Sequence, residues 1–172
     1  MRGAGADSVV KTHLEIADLA RLKPPERPPR QPFELEQVHD PELNRWFYEQ
    51  VGADYAWTDR LSWSDDQWAR WEARVETWVV AVGGERAGYF ELEPYERGRL
   101  VQLAYFGLLP PFHGQGIGGH ALTAAIRRGL EIGPKVAVST NTMDGPYALP
   151  NYLARGMEVV RRERVSFAPR SA

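Results

Sequence analysis

The sequence predicts a single mixed α/β domain of the α+β type, with a largely antiparallel central sheet of about six to seven strands and helices on both faces. Three observations carry this. The stretch "TWVVAVGGERAGYFELEPY" is a glycine-turned hairpin, and a further strand follows it, which marks an antiparallel meander. The second half then alternates helix-period and strand-period stretches, as αβα units added to the same sheet would. At 172 residues, 43 % of them hydrophobic, the chain is long enough for one well-buried core and short for two.

Taken in order, the first thirty residues hold one short alternating stretch, "THLEIADL", and then "RLKPPERPPRQP", whose five prolines exclude helix and central strand. Residues 1–32 therefore read as an N-terminal extension with a Pro-rich spacer, 33–168 as the domain and 169–172 as a tail. "FELEQV" alternates as a strand. "DPELNRWFYEQVG" has an Asp cap, a first-turn Pro and apolar Leu43, Trp46, Phe47 and Val51, so it is an amphipathic helix. "ADYAWTDRLSW" is an aromatic-rich loop, and "SDDQWARWEARV" a second capped helix. "TWVVAV", "AGYFELEPY" and "RLVQLAYFGLL" are strands. "GHALTAAIRRGLEIG" is a helix with Leu122, Ile126 and Leu130 on one face, ended by Gly133-Pro134. "KVAVST" is a buried strand. "DGPYALPNYLARG" is a short helix preceded by Asp144 and followed by Gly156, and "MEVVRRERVSFA" supplies one or two closing strands.

Composition narrows the function. No apolar stretch approaches the ~20 residues of a membrane span, and the N-terminus lacks a signal-peptide core, so no membrane partner is expected. The absence of cysteine excludes disulfides, thiolate catalysis and Cys-based zinc sites, and fits a cytoplasmic protein with no metal. The net charge of −2 is unevenly spread: Glu34 to Glu76 holds eleven acids against four arginines, while basic residues follow the glycines of the second half. No dominant basic surface marks a nucleic-acid binder. The bipolar pattern suits an anionic ligand near the glycines and a cationic one near the acidic half.

Those glycines lie in "LLPPFHGQGIGGHAL", where four fall between Gly114 and Gly119. Gly114-x-Gly116-x-x-Gly119 satisfies a dinucleotide-binding string, but four residues separate it from the strand, and Ser139 and Thr140 stand where a ribose-binding acid belongs. A phosphate-binding Walker loop would end in Gly-Lys-Ser/Thr, and "GGHAL" does not. A turn that merely tightens strand-to-helix packing would need fewer glycines. Backbone N–H groups at a helix start, free of Cβ atoms, suit a pyrophosphate.

With Leu108-Leu109-Pro110 ahead of His113-Gly114-Gln115-Gly116-Ile117-Gly118, the stretch resembles the acetyl-CoA-binding motif of the GNAT acyltransferase superfamily, in which a strand ending in V-x-P precedes [R/Q]-x-x-G-x-[G/A]. The element order from about Phe33 to Phe167 is also similar to that superfamily's, and "ALPNYLARGM" resembles its A-x-x-x-Y-x-x-x-G-[F/M] segment. The resemblance implies a GNAT-like sheet and transfer of an acetyl group from acetyl-CoA to a primary amine within a ternary complex. It implies cofactor contacts from Phe106, Leu108, Leu109, His113, Gly114, Gln115, Gly116, Ile117, Gly118, Gly119 and Asn151. It also implies that Tyr152 protonates the departing CoA thiolate.

Some positions depart from the family pattern. His113 stands where Arg or Gln is usual, and Gln102 where a Glu often acts as base; Gly145 replaces an Asn that often touches the cofactor. The proton acceptor is therefore expected among Glu91 and Glu93, which alternation places on one strand face, with Asp59 a further candidate. Tyr55, Trp57 and Asp59, on the aromatic loop, are expected to contact a small cationic or aromatic-bearing amine. Trp46, Trp68 and Trp71 are expected in the core. Two other readings fit these departures: a CoA-binding sensor without catalysis, and an acetyltransferase acting on protein amines. The chain is expected to be a monomer or homodimer.

Overall fold

A computed structural model describes residues 8–166; the expected tail at 169–172 lies outside them. Its strands are β1 (Ser8–Ile16), β2 (Glu34–Val38), β3 (Glu76–Val82), β4 (Glu85–Tyr95), β5 (Leu100–Leu108), β6 (Val136–Asn141) and β7 (Glu158–Ser166). They form one sheet in the order β2-β3-β4-β5-β6-β1-β7. Every pairing is antiparallel except β5 with β6.

Four α-helices cover the two faces: α1 (Pro41–Gly52), α2 (Asp65–Glu72), α3 (Ile117–Ile132) and α4 (Ala148–Ala154). Asp40 caps α1 by accepting from Glu42 N at 3.0 Å, with Pro41 in the first turn. The apolar stripe Leu43, Phe47, Val51 then packs on Val79 and Tyr89, with Phe47 and Tyr89 stacked at 4.8 Å between ring centroids. A Ser64–Gln67 capping box starts α2, which buries Trp68 and Trp71. Trp46 departs from expectation: it lies on the outer side of α1, 37 % exposed, beneath the Arg86 guanidinium. On the opposite face Leu122, Ile126 and Ala125 of α3 bury fully against Phe90, Leu92 and Leu103. Each large side chain buried there contributes ~1.5–3 kcal/mol.

Two expectations need correction. The alternating stretch assigned to an N-terminal extension is β1, an interior strand between β6 and β7, with Leu14 and Ile16 buried. Its neighbours come from the far end of the chain, so no local pattern announces them. The proline segment is extended as expected, but it is a strap bound to the domain and not a free spacer. Lys23 N donates to Arg155 O at 3.0 Å, His120 Nε2 lies 2.7 Å from Arg27 O, and Arg30 N donates to Gln115 O at 3.0 Å. The strap must cross from the sixth strand position to the first, about 24 Å at ordinary strand spacing. Proline suits this path because few strap N–H groups have a partner to lose. Asp144 precedes α4 as expected, in a turn of its own, and no side chain caps the helix.

Candidate active site

The site originates in how β5 and β6 part. Their parallel register covers only Val101↔Val136 and Gln102↔Ala137, yet β5 runs on to Leu108 and β6 to Asn141. Between the diverging halves lies a cavity of about 1120 Å³. Small-molecule pockets typically measure ~300–1,000 Å³, so this one has room for an extended cosubstrate and an acceptor together.

At one side of the cavity, the chain leaves β5 through Pro110–Phe112 and enters α3 at Ile117. Gly114 and Gly116 have φ of +72° and +76°, left-handed conformations that a side chain would strain. No side chain caps α3, so its first N–H groups remain available to an anion. A Cβ on Gly114 would meet nothing within 4 Å, and one on Gly118 would stop 3.7 Å from Leu108 Cδ1 at the cavity wall. This uncapped, Cβ-free cradle fits a pyrophosphate. His113 packs beside it, its Nε2 2.8 Å from Leu108 O, so a proton on Nδ1 is needed for the ring to donate to a phosphate as well.

Of the residues expected to meet the cofactor, Phe106, Leu108, His113, Gly114, Gly118 and Asn151 line the cavity. Leu109, Gln115, Gly116, Ile117 and Gly119 do not. Leu109 packs on the α1 cluster, and Ile117 is fully buried in the α3 core. Gln115 donates to Pro111 O at 3.0 Å. The small size of Gly119 serves the strap: a Cβ there would come 2.8 Å from Pro25 Cγ and would collide with the Arg155 guanidinium.

Tyr152 projects from α4 into the same cavity, 7 % exposed. Burial, and then the charge of Asp144, push its phenol above the ordinary tyrosine range, so it stays protonated. Tyr55, Trp57 and Asp59 line the cavity from the loop between α1 and α2. Trp57 lies on Gly52, where a Cβ would stand 2.6 Å from its own Cβ, and meets Tyr105 edge-on at 4.7 Å between centroids. Tyr55 reaches across to the loop after β6, within 3.0 Å of where a Cβ on Gly145 would stand.

Glu91 and Glu93 share a face of β4 with Tyr89, as alternation implies, but that face is turned into the α1–α2 layer and neither lines the cavity. Glu91 is 1 % exposed and accepts from Asn44 Nδ2 at 2.8 Å and Trp71 Nε1 at 2.7 Å. Burial raises its pKa to about 7 against those hydrogen bonds. Glu93 accepts from Arg74 Nη2 at 2.7 Å. Beside Glu91 the Arg60 guanidinium sits over the rings of Trp71, Trp63 and Tyr105 at 3.8, 4.4 and 4.6 Å. The aromatic faces of Trp63, Trp71 and Tyr105 thus hold a cation of the chain itself, which leaves Tyr55 and Trp57 as the expected ligand contacts on this loop.

Among the lining residues that escaped the sequence reading as site residues are Lys11 from β1, Tyr105 from β5, and Asp144 and Tyr147 from the loop after β6. Asp144 could have been flagged, since an Asp-Gly-Pro turn directly after a strand places a polar side chain at the strand's carboxyl end.

A family model described as "Acetyltransferase (GNAT) family" matches residues 33–157. No curated protein matches the chain. Among solved structures, a GCN5-related N-acetyltransferase from Sphaerobacter thermophilus superposes with a TM-score of 0.64 and 16 % identity, over 90 % of this chain and 49 % of that one. One from Kribbella flavida gives 0.60 and 18 %, over 87 % and 54 %. An acetyltransferase from Bacillus subtilis in complex with CoA gives 0.57 and 18 %, over 73 % and 76 %. This chain thus spans about half the length of the first two. At these identities the structures speak to the fold, and the family model speaks to descent: the chain belongs to the GNAT acetyltransferase family.

Proposed function

We propose that this protein transfers an acetyl group from acetyl-CoA to the primary amine of a small molecule by direct attack in a ternary complex. The observation that carries the reading is that the glycine cradle (His113, Gly114, Gly118) and the Tyr152 phenol face one continuous cavity. The N–H groups at the start of α3 and His113 hold the pyrophosphate, and Asn151 and Phe106 flank the thiol arm. The acetyl group is supplied as a thioester. Backbone N–H groups along Phe106–Leu108, released from pairing where β6 departs, orient the carbonyl. Tyr152 gives its proton to the departing sulfur, a role suited to a phenol kept neutral by burial. No carboxylate of β4 or β5 faces the cavity, so the amine's proton leaves through Asp59, Asp144 or water.

The contact of Tyr55 with the Gly145 loop narrows the acceptor side, which supports a small acceptor over a polypeptide. Incubating the protein with acetyl-CoA and an amine library, read out by mass spectrometry and thiol release, tests the activity. Tyr152→Phe keeps the ring and removes the proton donor. Its kcat is expected to fall by ~10²–10⁴-fold with CoA affinity little changed. CoA binding with no amine acetylated would instead identify a CoA-binding sensor, and near-wild-type turnover by Tyr152→Phe would remove the acid role.

A further inference from the structure

Two carboxylates face the cavity, Asp59 and Asp144, and they are held very differently. Asp59 is exposed on the loop between α1 and α2. Asp144 is half-buried and fixed in a tight turn at the carboxyl end of β6. Its Oδ2 accepts from Thr140 Oγ1 at 2.6 Å and from Asn141 N at 2.9 Å, and its own N–H donates to Asn141 O at 3.1 Å. Its Oδ1 has no protein donor among the described residues, yet it is not sealed off. One oxygen is anchored and the other is free at the cavity, an arrangement prepared to accept a hydrogen bond without reorganising.

The surroundings define what that oxygen could accept from. Asp144 shares the cavity wall with Tyr55 and Tyr152, its neighbour Gly145 lies beside the Tyr55 ring, and its charge raises the pKa of both phenols. Tyr147 and Tyr55 supply aromatic surface beside it. The other titratable groups facing the cavity are Lys11 from β1, Tyr48 from α1, Tyr105 from β5, and His113 beyond Tyr152. Lys11 pairs opposite Asn141, the last residue of β6 before the Asp144 turn, and makes no ion pair with Asp144. The free oxygen thus lacks a cation partner and faces an aromatic-walled space, which is the chemistry of a receptor for a primary ammonium carried on an apolar body.

We propose that Asp144 holds the acceptor's ammonium through its free Oδ1 and so selects cationic amines over neutral molecules of the same shape. The inference rests on the acetyltransferase reading for the name "acceptor", but it is a statement about binding and can be tested without turnover. Asp144→Asn is the suitable variant, because the amide oxygen can still accept from Thr140 and Asn141 N while the free carboxylate oxygen is replaced by an uncharged NH2 group that donates and does not accept. The full chain, saturated with CoA in place of acetyl-CoA, would be titrated by calorimetry at neutral pH. The probes are benzylamine, 2-phenylethylamine and 3-phenylpropylamine, each against the alcohol of the same length.

The wild type is expected to bind the best-fitting amine roughly 10- to 100-fold tighter than its alcohol, the scale of a charge-assisted hydrogen bond. In Asp144→Asn that preference should collapse to about twofold or less, with affinities for the alcohol and for CoA unchanged. The absence of a cation preference in every wild-type pair would overturn the proposal. So would a preference that survives Asp144→Asn, or one that disappears in Asp59→Asn alone. A protein that shows the Asp144-dependent preference but acetylates no amine would sink the catalytic reading and uphold this one.

Discussion

Replacing Glu91 by Gln distinguishes a carboxylate that builds the fold from one that moves a proton. Burial raises the folded-state pKa of Glu91 from an ordinary 4.5 to about 7, so the folded protein binds this proton more tightly than the unfolded chain does. The associated stability is fully present below about pH 4.5 and is lost as pH rises through about 7. At ~1.4 kcal/mol per pH unit, the gap is worth about 3 kcal/mol. No discount for solvent applies, because the side chain is buried. Gln cannot titrate, and it offers one acceptor where Asn44 and Trp71 both donate, so the variant carries a pH-independent penalty of ~1–3 kcal/mol. Urea unfolding at intervals from pH 4.5 to 8 should therefore show the wild-type advantage shrinking by about 3 kcal/mol toward high pH. The acidic limb of any pH–rate profile should persist in the variant, since Glu91 does not line the cavity. Parallel stability curves would refute the buried-carboxylate argument, and loss of the acidic limb would return Glu91 to the role of base.

Two further substitutions probe the cradle and the strap. Gly118→Val places methyl groups at the cavity wall from a position without left-handed backbone, so CoA affinity measured by calorimetry should drop about tenfold or more while circular dichroism is unchanged; normal affinity would displace the cradle from this loop. Gly116→Val is a poorer test, because φ of +76° makes it a folding variant as well. Gly156→Ala should destabilise the protein by about 2 kcal/mol or more in urea unfolding, since φ is +94° there and the new Cβ would collide with Arg21 O at the start of the strap. Wild-type stability in this variant would mean that the strap is not seated on α4.

What could be read from the sequence was local. Caps and periodicity located α1, α2 and α3, and the Gly83-Gly84 hairpin located β3 and β4, because each depends on residues within one turn or one ladder. The glycine cradle and Tyr152 were legible as motifs. Three things were not, and each concerns which side of something a residue faces. Alternation placed Glu91 and Glu93 on one face of β4 but could not tell which layer covers that face. Trp71 was legible as a core residue, but the sequence does not show that the loop before α2 folds its own Arg60 onto the faces of Trp63 and Trp71. Gly119 looked like part of a phosphate loop although its packing partner, Pro25, lies almost a hundred residues earlier.

The same limit concealed β1, and β1 is what gives the cavity its shape. A strand that leaves one neighbour keeps its extended course only if the neighbour on its other edge continues to hold it, while the peptide groups on the vacated edge open onto the cavity. Along β6 the parallel register with β5 covers two residue pairs, whereas the antiparallel register with β1 covers six, from Ile16↔Val136 to Lys11↔Asn141. Pairing on that outer side holds β6 straight to Asn141, where its end carries the turn that fixes Asp144. The parting of β5 and β6, the free peptide edge of Phe106–Leu108, and the position of Asp144 opposite Tyr55 are thus consequences of one choice of partner. β1 also brings Lys11 to the cavity, a cation that disfavours a second positive charge on an acceptor already held by Asp144.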